Sequence, residues 1–139
     1  MQAKHGRVFI GRFKYKEDLL GVLTGFSKKN NIRLGVFSVI GAVTCAKLGY
    51  YDQNKKKYVV CVDLKNKKLE IASCAGNISL LGKKIFVHAH VTLADHKGKT
   101  YAGHLMPGAR IFAAEYFIQE LKGKPLSRKF DSQTHLLLW

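Results

Sequence analysis

Ile85-Phe86-Val87-His88-Ala89-His90-Val91-Thr92-Leu93-Ala94 is followed by the polar stretch Asp95-His96-Lys97-Gly98-Lys99 and then by Tyr101-Ala102-Gly103-His104-Leu105-Met106. The first segment is β-branched and apolar, without Gly or Pro, and so predicts a strand. The Asp-His-Lys-Gly-Lys stretch predicts a turn, and the segment after it a return strand. On a strand, His88 and His90 point to one face, roughly 6.5–7 Å apart along the chain, while Val87, Ala89 and Val91 face the other way. A hairpin partner brings His104 beside them. Three neutral imidazoles can hold Zn²⁺ and leave a fourth position for water. A cluster of hydrogen-bonded core histidines without metal is the other reading of the same spacing. His96 falls in the polar turn, and no role is assigned to His5 or His135.

The same alternation of apolar runs and polar turns extends through the 139 residues, a length that suits one domain, residues 1–139. Strands are predicted over Arg7–Phe13, Leu34–Ile40, Val43–Tyr51, Tyr58–Leu64, Leu69–Leu80, Ile85–Ala94 and Tyr101–Met106. Gly41 allows a bend, and Ala75-Gly76-Asn77 is expected to interrupt the Leu69–Leu80 strand. Ala109–Leu121 fits helix or strand by period, and its aromatic and β-branched content favours strand. Leu136-Leu137-Leu138-Trp139 is read as a last strand tucked against the core. One helix stands out. Leu19, Val22, Leu23 and Phe26 make a single face, Asp18 suits the N-cap, and Lys28-Lys29 place cations at the negative end. Gly21 and Gly25 weaken the helix and suggest close packing on a sheet. The fold class is therefore α+β, a mostly antiparallel sheet with one main N-terminal helix packed on it.

Charge sets the partner expectation. The 24 Lys and Arg exceed the nine Asp and Glu by 15, and nineteen of the cations are Lys. A field of that sign favours a polyanion, although a Lys-rich surface kept for solubility gives the same number. Lys suits phosphate contact rather than bidentate base reading, so weak sequence preference is expected. Lys55, Lys56, Lys57, Lys83 and Lys84 sit in turns and are the candidate nucleic-acid contacts. Cys45, Cys61 and Cys74 form no C-x-x-C pair and lie in apolar runs, which predicts buried free thiols in a reducing compartment. No signal peptide or span of about 20 apolar residues is visible, so a cytoplasmic location without membrane attachment is expected.

Two carboxylates, Glu70 and Glu115, lie in strand-like apolar surroundings. Either can orient a ligand imidazole, or pair with a Lys or with Arg110. Gly76 and Gly103 are assigned to the same pocket, where a missing side chain permits close approach. A zinc-dependent hydrolase or lyase would need a general base as well. Glu70, Glu115 and Asp95 are the nominees, none at a convincing spacing. No G-x-S-x-G and no P-loop occurs.

The order and spacing of several segments resemble the plant- and prokaryote-conserved (PPC) domain family over nearly the whole chain. These segments are Glu17-Asp18-Leu19-Leu20, Ser38 to Val43, Leu69 to Ile78 with its Cys74-Ala75-Gly76-Asn77, Gly82 to His90, Gly103-His104-Leu105, and Arg128-Lys129-Phe130-Asp131. The resemblance implies a compact α+β homotrimer. It also implies a stand-alone DNA-binding protein of prokaryotic type, nucleoid-associated if so, and a zinc site at His88, His90 and His104. The alternatives on the same pocket are the zinc enzyme and a small-ligand-binding trimer. Two departures are visible. Ala102-Gly103-His104-Leu105 stands where the family often has Gly-Gly-His-Leu, and the Arg-Gly-Arg-Pro core of an AT-hook is absent, which removes that route into the minor groove.

Overall fold

A computed structural model describes residues 1–139. The elements in chain order are β1 (Lys4–Phe13), α1 (Leu19–Lys29), β2 (Gly35–Asp52), β3 (Lys57–Leu64), β4 (Leu69–Leu81), β5 (Lys84–Ala94), β6 (Thr100–Leu105), β7 (Arg110–Lys122), β8 (Ser127–Phe130) and β9 (Leu137–Leu138). The α+β class and the largely antiparallel pairing are as expected, with a single parallel pair, β4 with β8. The one helix is too short to cross a membrane.

Strand β2 organises the sheet. Its first half pairs with β7 on one edge and β4 on the other; its second half pairs with β3 and β6. With β4–β5 and β5–β6 added, the pairings β2–β4–β5–β6–β2 form a closed circuit. The bend expected at Gly41 is present. Its φ is +133°, a Cβ there would lie 2.2 Å from the Ala113 carbonyl oxygen, and the register with β4 slips between Val39 and Gly41. Only glycine fits that combination of backbone and neighbour.

Helix α1 starts where Asp18 caps it. One carboxylate oxygen accepts from Gly21 N at 2.9 Å, and the other accepts from Gly108 N at 2.6 Å, tying the helix start to the β6–β7 loop. Leu19 and Leu23 are fully buried, with Val22 and Phe26 packed partly against the core, as the spacing predicts. The inward faces of the strands complete that core with Phe37, Val39, Val43, Leu48, Ile71, Cys74, Val91, Leu93, Ile111 and Ile118. Cys74 is buried as expected and its thiol is pushed up to about 12 by that burial, which leaves it unreactive. Cys61, in contrast, is exposed.

Four sequence expectations are corrected. Strand β4 runs unbroken through Ala75–Asn77, because glycine at 76 makes room for the Phe37 ring instead of ending the strand. Ser127–Phe130 forms an unforeseen strand. The C-terminal Leu137-Leu138-Trp139 remains exposed: it pairs with β8 and rests on Arg128 rather than on the core. Gly21 and Gly25 lie on the solvent side of α1, away from the sheet.

The outward sheet face carries one continuous cross-strand row, Ile10–Phe117–Ser38–Ala75–His90–His104, traversing β1, β7, β2, β4, β5 and β6. Directly opposed residues share a face. The β1–β7–β2 end of this face is apolar and uncovered, with Ile10 78% and Ile40 57% exposed and Val8, Val36 and Phe117 also exposed.

Nothing lies within 4 Å of a Cβ built on Gly25. Gly25→Ala should therefore stabilise the chain by about 0.5–1 kcal/mol, read as a higher urea midpoint with an unchanged m-value; a lower midpoint would contradict the placement of Gly25.

Candidate metal centre

Alternation along β5 places Lys84, Phe86, His88 and His90 on its outward side, while Val87, Ala89 and Val91 are buried. In the β5–β6 register His104 stands opposite His90, and the same His104 stands opposite Gly49 of β2. Closure of the sheet circuit thus delivers the third imidazole. Ring centroids lie 5.1 Å apart for His88–His90, 4.9 Å for His88–His104 and 5.5 Å for His90–His104. Ligand nitrogens from all three lie within 4.8 Å of one another. Tyr58 stacks on His104 at 4.4 Å.

Two observations fit these residues to a metal ion. His88 Nε2 and His104 Nδ1 are buried and have no hydrogen-bond partner, and orphaned buried nitrogens are costly unless something occupies their lone pairs. The His88 and His104 imidazoles are also held neutral, the form that ligates. Burial pushes His88 down to about 4, helped by the repulsion that His104, Arg128 and His90 exert in their charged forms. His104 is lowered by burial, then by His90 and Arg128.

Arg128 is the residue that sequence reasoning missed. It is only 6% exposed. Its Nε donates to Ser79 Oγ at 2.9 Å, Nη2 to Asn77 Oδ1 at 2.9 Å and Nη1 to the Leu137 carbonyl at 2.8 Å. Phe86 stacks on the guanidinium at 4.8 Å and Trp139 at 4.2 Å. Asn77 is opposite His88 in the β4–β5 register, so Arg128 reaches the histidine site through one intervening side chain. A cleft of roughly 360 Å³ opens beside His88 and His104, walled by Tyr51, Lys56, Lys57, Tyr58, Arg128 and the Leu136–Leu138 segment.

The remaining candidates separate. Gly76 lies opposite Ala89, where a Cβ would come within 2.2 Å of the His88 carbonyl oxygen, so it supports the site through the backbone. Gly103 likewise lies beneath the site, 2.8 Å by the same measure from the Gly49 carbonyl oxygen. Glu70 and Glu115 do not join the histidines. Both are exposed, Glu70 beside Lys68 and Tyr15 and Glu115 beside Arg12, along clefts of their own. Asp95 accepts from Lys97 N and Lys99 N and so shapes its turn. Lys56 and Lys57 line the histidine cleft, Lys55 pairs with Asp52 at 3.8 Å, Lys83 sits in the β4–β5 turn, and Lys84 shares the β5 face with His88. Lys65, Lys67 and Lys68 lie with Lys97 and Lys99 at the far ends of β4 and β5, where Glu70 opposes Ala94. The basic turns therefore occupy two ends of the sheet.

Protonating His88 works against the folded state, whose value near 4 is below the 6.5 of the unfolded chain. That contribution to stability is fully present above about 6.5 and is lost as pH falls toward 4. Chelator-treated protein should show a falling urea midpoint across this window, and His88→Gln should flatten the fall; equal slopes in both would contradict a neutral buried His88.

Comparison with known proteins agrees with the geometry. Residues 1–122 match the family described as the Plants and Prokaryotes Conserved (PCC) domain. A metal-containing protein from Archaeoglobus fulgidus is 41% identical, with a TM-score of 0.92, over 99% of this chain and 96% of that one. A plant- and prokaryote-conserved protein from Pyrococcus horikoshii is 38% identical, with a TM-score of 0.92, over 99% and 94%. A "putative DNA binding protein" from Bacteroides thetaiotaomicron shares the fold at 22% identity, with a TM-score of 0.85, over 98% and 95%. A bifunctional protein GlmU from Synechococcus is 31% identical over 94% of this chain, which spans only a fifth of that relative's length. With the family pattern running through strands β1 to β7 and the triad at its centre, the chain belongs to the Plants and Prokaryotes Conserved domain family.

Proposed function

We propose that this protein is a self-associating, zinc-holding module that binds DNA through backbone phosphates. The observation that carries the DNA reading is the disposition of its carboxylates. Only three ion pairs form: Arg7–Glu120 at 2.6 Å, Lys47–Asp63 at 4.0 Å and Lys55–Asp52 at 3.8 Å. Glu17, Asp18, Asp52, Asp95 and Asp131 accept from backbone N–H groups and shape turns or caps. Most lysines therefore keep their charge uncompensated at the surface, as phosphate contact requires. The description of the Bacteroides relative points the same way.

The apolar β1–β7–β2 face supports self-association, with the homotrimer as the proposed state. A contiguous uncovered patch of this kind is unusual on a monomer. For the metal, an all-imidazole donor set that leaves a fourth position open suits Zn²⁺. When bound, the ion would supply Lewis acidity and an acidified water. The chain's own contribution is to bring His88, His90 and His104 together on β5 and β6, with His88 and His104 held neutral by burial and Tyr58 stacked on His104. A cytoplasmic, nucleoid-associated location accompanies this reading.

Two experiments test it. Anisotropy titration of a labelled random-sequence duplex should show affinity falling about a thousandfold between 50 and 200 mM salt if some six phosphates are contacted. Lys83→Ala with Lys84→Ala should flatten that slope. A salt-independent affinity would remove the phosphate mechanism. Light scattering combined with elemental analysis should give three times the chain mass and one zinc per chain. Ile10→Lys with Ile40→Lys should lower the mass, and His88→Ala should remove the zinc. A wild-type mass of one chain would end the trimer proposal, and metal-free protein purified without chelator would end the zinc one.

A further inference from the structure

Arg128 combines deep burial with the lack of any acidic partner. It is 6% exposed, yet no carboxylate lies within ion-pair distance of it. Its three hydrogen bonds all end on neutral oxygens, those of Ser79, Asn77 and the Leu137 carbonyl. Those bonds use three of the five N–H groups that a guanidinium offers. A buried cation paired only with neutral dipoles is costly unless an anion joins it. Burial accordingly lowers the Arg128 pKa.

The surroundings add charge of the same sign. Lys56 and Lys57 line the cleft that Arg128 borders, and Lys56 Nζ lies 3.1 Å from His135 Nε2. Asp52, at the same hairpin, is turned to the Asn54 and Lys55 amides and to Lys55 Nζ. The rest of the wall is apolar or aromatic, Phe86, Tyr58, Tyr51 and Leu136–Leu138, together with the His88, His104 and His135 imidazoles. The C-terminal segment that supplies the leucines is held in place by Tyr51 Oη donating to the Thr134 carbonyl and by Arg128 donating to Leu137.

We infer that this cleft is a binding site for a small organic anion, a carboxylate or phosphate ester with an apolar or aromatic body. Its acid group lies among Arg128, Lys56 and Lys57, and its body rests against Phe86, Tyr58 and the leucines. The volume of roughly 360 Å³ suits a ligand of that size. The inference extends the proposed function and needs neither the zinc nor the DNA reading, because the cations that define the cleft are not metal ligands.

The chain's single tryptophan reports on the site, since Trp139 stacks on the Arg128 guanidinium at 4.2 Å. Full-length, chelator-treated protein is titrated with benzoate, phenyl phosphate, inorganic phosphate and neutral benzyl alcohol while tryptophan emission is recorded. Saturable change with benzoate or phenyl phosphate, weaker with inorganic phosphate and absent with benzyl alcohol, is the expected result, and the stronger of the two aryl anions identifies the acid group. Lys57→Ala should weaken that binding at least tenfold without changing zinc content. Arg128→Lys is the second variant, with circular dichroism as the check on folding. Equal responses to benzyl alcohol and benzoate, or an unchanged affinity in Lys57→Ala, would each overturn the inference.

Discussion

The pairing of β2 along both of its edges is the constraint on which the site depends. Eighteen residues of one strand must satisfy β7 and β4 first and β3 and β6 afterwards. Buried backbone groups left unpaired along such a strand would be costly, so the β5–β6 hairpin is obliged to fold back until His104 reaches Gly49. That closure sets the three imidazoles together, with no dedicated metal loop. Gly41 supplies the bend, and Gly76 supplies the close approach of Phe37 under the β4–β5 ladder.

Electrostatics follow from the same economy of acids. With nine carboxylates and 24 basic side chains, the acids that shape turns leave most lysines unneutralised, although Asp52 also pairs with Lys55. Asp18 serves both a helix start and the β6–β7 loop, and Asp131 accepts from Thr134 N and Oγ to form the turn before β9. The interior near the histidines therefore keeps a positive bias from Arg128, which works with burial to hold His88 and His104 neutral.

Local signals carried much of this into the sequence. Helix α1 was legible because Asp18 and the 3-and-4 spacing of its apolar residues are local features. The histidine triad was legible because strand alternation and one short turn sufficed to bring His88, His90 and His104 together. Features that depend on distant pairing were not legible. Arg128 joins the site only because β8 lies parallel to β4, bringing Arg128 opposite Leu81 and within reach of Ser79 and Asn77. Glu70 and Glu115 carry no mark in their neighbours that assigns them to other clefts. The Ala75-Gly76-Asn77 stretch reads as a break by composition, yet the space needed by Phe37, a residue 39 positions earlier in the chain, makes glycine the strand-compatible choice. The terminal leucines are apolar enough for the core, but Arg128 captures them at the surface.

The cross-strand row from Ile10 to His104 has a thermodynamic consequence. Its apolar end and its imidazole end belong to one hydrogen-bonded ladder. Reciprocity then applies: if an occupied triad favours the covered state by some factor, coverage tightens occupancy by that same factor. Under that condition association and ligation on this surface would be two readings of a single coupled equilibrium.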